Sequence, residues 1–344
     1  MKAAVITEAN QICLQDADIP ELKDGEALIR VKYCGICGSD IHVLKGAHPT
    51  AQFPVIPGHE FVGELVEVAG EEYRDRFRIG DTVVAQPFFS CGNCEPCAKG
   101  EDNVCRHLKF MGAHVNGGFA EYVKVAARKM YAVPDTLDLR LAALTEPLAV
   151  AVHDVRRSGL KVGESVLIIG GGPIGILIAL VADHAGAGSV VISEISEFRR
   201  SFAEEMGIRT LNPLDEDFES QVAELTEGKG FDVTFEVSGS MPGITTAISD
   251  TAIFGTVVVV GMTSRPYPVA LSEVFAKELS IRGVRIHNQY SFMGAVELLK
   301  SGKLNSRLEK LVSKIYPLSE VEEAFSFAQI PGDYFKILVA CDKV

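Results

Sequence analysis

The sequence predicts a two-domain α/β chain in which a mostly-β unit is interrupted by a doubly wound parallel sheet and completed by the C-terminal segment. Three observations carry that prediction. Short β-type runs separated by Gly, Pro and Asp fill roughly the first 150 residues. From Ser165 to about His287, apolar strands alternate with helical stretches. One isolated apolar strand then closes the chain. A length of 344 residues suits two domains, and 47% hydrophobic with 23% charged residues is a globular composition.

The early runs are KAAVIT, EALIRVKYC, FVGELVEVA, DTVVAQPFF, GFAEYVKV and KMYAVP, with little helical periodicity between them. That pattern predicts a barrel-like unit with short connections. The middle of the chain offers six strands, SVLIIG, SVVISE, IRTLN, FDVTFEV, GTVVVVG and LSIRGVRI, the number in a full dinucleotide-binding fold. Helical segments such as EFRRSFAEEMG and FESQVAELTEG lie between them, the first closing at the Gly207 stop signal. After His287 come two amphipathic stretches, SFMGAVELLKSG and SEVEEAFSFAQ, and the strand YFKILVAC. A single terminal strand needs a sheet to join, so the first domain is its expected host. The expected divisions are 1–152, 153–287 and a return segment, 288–344.

Lys plus Arg number 33 against 46 Asp plus Glu, a formal net charge of −13. An acidic chain with no long basic run is a poor partner for nucleic acid or an anionic membrane. The first thirty residues carry Lys2, Glu8, Asp16, Asp18 and Glu21, so no signal peptide is expected. The longest uncharged apolar stretch, Val166 to Ala182, is broken by GGGP and too short to span a bilayer. Eight cysteines in a chain read as cytoplasmic argue for metal or catalysis before disulfides.

Cys91, Cys94, Cys97 and Cys105 form a C-x2-C-x2-C-x7-C array within fifteen residues. Four thiolates can close a tetrahedral shell around zinc with no open position, which makes such a site structural. A ferredoxin-type cluster would place the next cysteine after three residues, followed by Pro, and a nucleic-acid ribbon would show two separated pairs. Gly170-x-Gly172-x-x-Gly175 follows an apolar strand and opens an apolar helix, the context that makes a glycine loop a pyrophosphate cradle. Glu194 ends the next strand, where a carboxylate takes the adenosine ribose hydroxyls and favours NAD over NADP. Arg199, five residues on, either pairs with Glu194, covers the adenine or neutralises a 2′-phosphate.

Cys37 is flanked by Gly35 and Gly38, His59 and Glu60 follow Pro57 and Gly58, and Glu146 sits in TEPLAV, where it is expected to face the interdomain cleft. One Cys, one His and one or two Glu give the N/O/S donor set of a catalytic zinc with a position left open. Adjacent residues on a regular strand point to opposite faces, so His59 and Glu60 both reach one metal only if the backbone is irregular there. Glu60 serves either as a ligand or as a partner of His59.

Taken together, GICGSDIH, PGHEFVG, the four-cysteine lobe, GGFAEY, EPLAVAVHDVRR, GGGPIG and the terminal strand resemble the zinc-dependent medium-chain dehydrogenases over essentially the whole chain. Within that family the sequence is most similar to the polyol (sorbitol-type) and sugar-acid branch. The resemblance implies a GroES-like catalytic domain and a six-stranded Rossmann domain. It implies two zinc ions per chain, a catalytic one at Cys37, His59 and Glu60 with Glu146 beside it, and a structural one at the four cysteines. It implies a proton relay through Ser39 and His42. It places NAD on Gly170, Gly172, Pro173, Ile174 and Gly175, on Glu194 and Arg199, and on Val260, Gly261, Val284 and Arg285. The reaction implied is oxidation of a secondary alcohol to a ketone, with hydride passing to the nicotinamide. A homodimer or homotetramer, assembled through the cofactor domain and its apolar edge strand, is expected from the same resemblance.

The substrate is read less directly. Where sorbitol-type enzymes carry an aromatic residue after the relay histidine, this chain has Val43. Arg285, His287 and Asn288 place a charge and two hydrogen-bonding groups where the last Rossmann strand exits, and Arg285 either grips a substrate carboxylate or contacts the cofactor or Glu146. The expected substrate is a polyol or a sugar acid. Threonine-dehydrogenase-like oxidation of an amino alcohol is the enzymatic alternative, and a non-catalytic NAD-binding sensor the alternative of another class.

Overall fold

The computed structural model describes residues 1–263, 266–330 and 332–342. The chain divides into two compact units, one made of Met1–Ala149 with the segment from Asn288 onward and the other of Val150–His287. The helix Thr145–Ser158 contains that division and also the expected one at 152–153.

In the first unit a seven-stranded sheet runs in the order Val312–Pro317, Lys336–Ala340, Glu26–Gly35, Glu60–Val68, Thr82–Ala85 and Met130–Ala132, with Tyr122–Ala126 also pairing Glu26–Gly35. All pairings are antiparallel except that of Val312–Pro317 with Lys336–Ala340. The terminal strand therefore joins the first domain's sheet, pairing Leu338 with Gly35. Its five residues are all buried, and the four after Lys336 form an apolar run. A separate hairpin pairs Lys2–Glu8 with Gln11–Asp16. The core of this unit gathers Ile29, Val31, Phe61, Leu65, Val83, Phe119, Met130 and Phe325.

Some strands were not expected, among them the short Lys109–Phe110, which pairs Phe88–Phe89. Gln11–Asp16 and Val312–Pro317 lie mostly open to solvent, so neither shows the apolar signature by which strands are read. GFAEYVKV contributes strand only from Tyr122, its first part being held by isolated bonds such as Ala4 N–H to the Phe119 carbonyl at 2.8 Å. LSIRGVRI is regular only over Ser280–Gly283, and Ile286 sits at φ 53°, outside any strand conformation.

The second unit holds six parallel strands in the order Arg209–Leu211, Ser189–Ser193, Ser165–Ile169, Phe231–Glu236, Thr251–Val259 and Ser280–Gly283. Their sequence order is 3-2-1-4-5-6, the doubly wound dinucleotide-binding arrangement. Val166, Leu167 and Ile168 are completely buried because helices cover both faces of a parallel sheet. The helix Pro173–His184 starts with Pro in its first turn, where no N–H is needed, and buries every residue from Gly175 to Ala182. Among the described residues no helix is long and apolar enough to cross a membrane.

Asp154, on the helix Thr145–Ser158, is buried and neither carboxylate oxygen has a hydrogen-bond partner. Burial alone pushes its pKa well above the usual carboxylate range. An unfolded Asp ionises near pH 4 while this one resists, so the group costs stability increasingly as pH rises above that value. Asp154→Ala should therefore stabilise the protein by about 1–3 kcal/mol at pH 8 and clearly less at pH 3.5. Calorimetry at the two pH values checks this, and an equal gain at both would show that charge burial is not the cause.

Candidate active site

Cys37, His59 and Glu60 bring one sulfur, one ring nitrogen and one carboxylate oxygen within 4.8 Å of one another. Cys37 caps the short helix Gly38–Leu44, and Asp40, three residues on, accepts the Cys37 N–H at 2.9 Å. The other oxygen of Asp40 accepts the Gly58 N–H at 2.9 Å and faces His59 Nδ1 at 3.4 Å. One buried carboxylate thus ties the cysteine loop to the histidine loop. Gly58 has φ 99°, and a side chain there would come within 2.7 Å of Cys34 Sγ and the Phe119 ring. Gly58 thus makes the close turn that leads into His59 and Glu60, the two adjacent donors.

With Nδ1 held by Asp40, His59 turns Nε2 toward the cluster, where it lies 3.3 Å from Ser39 Oγ. Burial pulls the His59 pKa down, but Asp40 and Cys37 together outweigh it and hold the ring well above its ordinary value. Glu60, the first residue of its strand, contacts the amine of Lys336, which also donates to the Ile36 carbonyl at 3.2 Å. Burial disfavours charge on Lys336, and Glu60, Cys37 and Glu146 more than reverse that, raising its pKa. Glu146 is buried and acts electrostatically on both Glu60 and Lys336, but Glu60 is the carboxylate gathered with Cys37 and His59. His42 lies one turn beyond Ser39 on the same helix and is exposed. A thiolate, an imidazole and a carboxylate in a pocket rich in negative charge fit a zinc ion with a fourth position open.

The four cysteine sulfurs form a second cluster, with Cys94–Cys97 at 3.4 Å, Cys91–Cys105 at 3.5 Å and Cys94–Cys105 at 3.8 Å. Zinc–sulfur bonds of about 2.3 Å set tetrahedral edges of about 3.8 Å, so the donor spacing suits that ion. Backbone amides prepare the thiolates: Cys91 N–H and His107 N–H each reach Cys105 Sγ at 3.3 Å. The amides of Arg106 and Cys97 draw Cys94 down to about 6, whereas burial and the sulfur of Cys94 push Cys97 up to about 12. All eight cysteines are unpaired.

In the other unit the glycine loop runs directly from the strand Ser165–Ile169 into the helix Pro173–His184, with Gly172 as its N-cap and Pro173, Ile174 and Gly175 in the first turn. A side chain at Gly175 would overlap the Gly170 carbonyl, so only glycine permits this approach. Glu194 is buried and accepts the Gly171 N–H at 2.7 Å and the Ser196 N–H at 2.8 Å. Arg199 lies 3.7 Å from Glu194 and borders Gly172. Val260 and Gly261 donate to the Glu236 carbonyl at 2.9 Å each, and Val284 N–H meets the Val259 carbonyl at 3.3 Å.

Arg285 and His287 belong to this unit, with His287 buried, whereas Asn288 opens the return segment of the other. Asn288 caps the helix Gln289–Lys300, accepting from Ser291 N–H at 3.0 Å and Ser291 Oγ at 2.9 Å, and donates to Glu101 at 3.0 Å. Its side chain is thereby engaged in holding the chain beside the cysteine lobe. The sequence reading omitted Asp40 and Lys336. Asp40 had a signal, the capping spacing Cys37-x-x-Asp40. Lys336 had none, because its partner lies at the other end of the chain.

Residues 23–135 match the alcohol dehydrogenase GroES-like domain, and residues 173–301 match the zinc-binding dehydrogenase domain. The chain is 39% identical, over 92% of each sequence, to a 2-dehydro-3-deoxy-L-galactonate 5-dehydrogenase of Pseudoalteromonas atlantica. It is 35% identical to a sorbitol dehydrogenase of Halalkalibacterium halodurans, over 98% of this chain and 99% of the relative. Among solved structures, a zinc-binding dehydrogenase from Sinorhizobium meliloti bound to NADP superposes with a TM-score of 0.89 at 33% identity, over 98% of each chain. With two metal-donor clusters and a dinucleotide-type sheet in one chain, these likenesses establish that the protein belongs to the zinc-binding alcohol dehydrogenase family.

Proposed function

We propose that the protein is a zinc-dependent, NAD-linked oxidoreductase that interconverts a secondary alcohol of a polyol or sugar acid and the corresponding ketone. The observation that carries the reading is the gathering of Cys37, His59 and Glu60 beside Ser39, in a chain that also carries the glycine loop and Glu194. When bound, zinc supplies a Lewis acid for the substrate oxygen and the dinucleotide supplies the hydride acceptor. The protein's own groups do the rest. Ser39 Oγ, 3.3 Å from His59 Nε2, would accept the hydroxyl proton while passing on its own, and exposed His42, one turn on, would release it to solvent. Lys336 holds Glu60 in place against its burial. Glu194 presents a carboxylate to the ribose hydroxyls, and a 2′-phosphate there would meet like charge, which supports NAD over NADP. Arg285 is assigned to a substrate carboxylate.

The six-stranded sheet ends at Ser280–Gly283, and Phe254, Leu271, Phe275 and Ile281 in the same unit are exposed, Phe275 at 85%. Large exposed apolar residues in a unit whose sheet, among the described residues, ends at Ser280–Gly283 support a homodimer closed by that edge.

Assays across polyols, aldonates and threonine, with NAD⁺ and NADP⁺, test the activity. NADH formation on a polyol or an aldonate at a kcat/KM at least tenfold above that with NADP⁺ is expected, and turnover of threonine alone would replace this reading with the amino-alcohol one. Arg285→Met should raise KM for the acid and leave that for a neutral polyol nearly unchanged.

Metal analysis separates the two zinc sites. Cys37→Ser should lose one zinc per chain and turnover while keeping the melting temperature. Cys97→Ser should lose the other zinc and melt several degrees lower, because a closed four-thiolate site contributes to folding. Unchanged stability of Cys97→Ser would remove the structural role.

Light scattering at micromolar concentration should show at least a dimer, and Phe275→Asp should shift it toward monomer. A parent protein that is monomeric throughout would rule the edge interface out.

A further inference from the structure

Glu236 is buried at the C-terminal end of the strand Phe231–Glu236, and the reading above gives it no part. It pairs in register with Ile169 on one side and Val259 on the other, so it stands where the strand order of the sheet reverses. In open α/β sheets ligands bind outside the strand ends at that reversal. Three loops leave the sheet there: the glycine loop after Ile169, residues 237–240 after Glu236, and residues 260–262 after Val259.

Glu236 ties these loops together with both its main chain and its side chain. Its carbonyl accepts the N–H groups of Val260 and Gly261 at 2.9 Å each. Its carboxylate accepts Ser238 Oγ at 2.5 Å and the Gly239 N–H at 3.0 and 3.2 Å. Ser238 in turn contacts Ser240 Oγ at 2.8 Å, and Ser240 caps the helix Met241–Asp250. The loops themselves touch closely. A side chain on Gly170 would lie 3.1 Å from Ser238 N, and one on Gly261 would run into Gly239. Small movements of residues 238–239 are therefore felt on both neighbouring loops.

We propose that the Glu236 carboxylate is a positioning residue for the dinucleotide: by fixing Ser238 and Gly239 it sets the spacing between the glycine loop and the Val260–Gly261 loop. The inference rests on the dinucleotide reading of this sheet. It acts through hydrogen bonds rather than charge, and glutamine tests that distinction. A glutamine oxygen still accepts the Gly239 N–H, and its amide can donate to Ser238 Oγ, whose hydroxyl is free to rotate.

The experiment is titration of the zinc-loaded protein with NADH, followed by fluorescence, alongside steady-state kinetics. Glu236→Ala should weaken NADH binding at least tenfold and raise KM for NAD⁺ similarly. Its kcat at saturation should stay within threefold of the parent, with zinc content and melting temperature little changed. Glu236→Gln should bind within threefold of the parent. Parent-like NADH affinity in Glu236→Ala overturns the proposal, as does a Glu236→Gln variant as weak as the alanine, which would assign the effect to charge. If Glu236→Ala does not fold, Ser238→Ala decides: weaker NADH binding at unchanged stability supports the proposal and parent-like binding overturns it. A parent that binds neither NADH nor NADPH defeats the dinucleotide reading itself, a distinct result.

Discussion

A lysine and a glutamate buried against each other hold the first unit's site to its sheet. Removing two charges from water costs several kcal/mol per ion, and the cost is met only if the geometry is good and the remaining donors are satisfied. Lys336 contacts the Glu60 carboxylate and donates to the Ile36 carbonyl. Neither contact forms unless the terminal strand lodges between Val312–Pro317 and Glu26–Gly35. The pairing of Leu338 with Gly35 then sends Lys336 past the end of that strand, toward Cys37. The last strand of the chain is thus part of the metal-donor pocket, and it closes the fold and the site in one step.

Asp40 does for the two loops what Lys336 does for the sheet. Its carboxylate joins Cys37, Gly58 and His59, residues that come from separate segments with different backbone geometry. Because Asp40 faces Nδ1, Nε2 is the ring nitrogen of His59 left on the Ser39 side of the cluster. The second unit uses the same device at Glu194, which accepts amides from the glycine loop and from the start of the next helix. In each case a buried carboxylate sets loop geometry by collecting backbone N–H groups.

Local signals made much of this legible. The four cysteines, the glycine loop and the six parallel strands each leave a short-range imprint: fixed spacing, a turn requirement, or an apolar run buried on both faces. Cys37, His59 and Glu60 were legible as a donor set. What stayed hidden depends on contacts distant in sequence or on water. The edge strand Val312–Pro317 exposes Ser313, Lys314 and Ile315, so it lacks the pattern of a half-buried strand. Lys336 reads as a charged residue at the start of a strand until the sheet folds around it. Asn288 caps a helix through its side-chain oxygen, a role that shows only once the helix is placed.

The two metal-donor clusters differ in how they carry negative charge, and that difference follows from where each sits. The cysteine lobe lies near the surface, where main-chain amides can turn toward sulfur, and no lysine or arginine is needed to hold Cys94 as a thiolate. The Cys37 pocket is deeper. There Asp40, Glu60 and Glu146 are all buried, and Glu60 and Glu146 both act on the buried amine of Lys336. Burial there opposes charge on the His59 ring, but Asp40 and Cys37 outweigh it and raise its pKa well above the ordinary value. A divalent cation bound beside Cys37 would oppose that bias and favour the neutral ring a ligand needs. The closed lobe is thus suited to holding an ion permanently, and the open pocket to holding one that still has a face to offer.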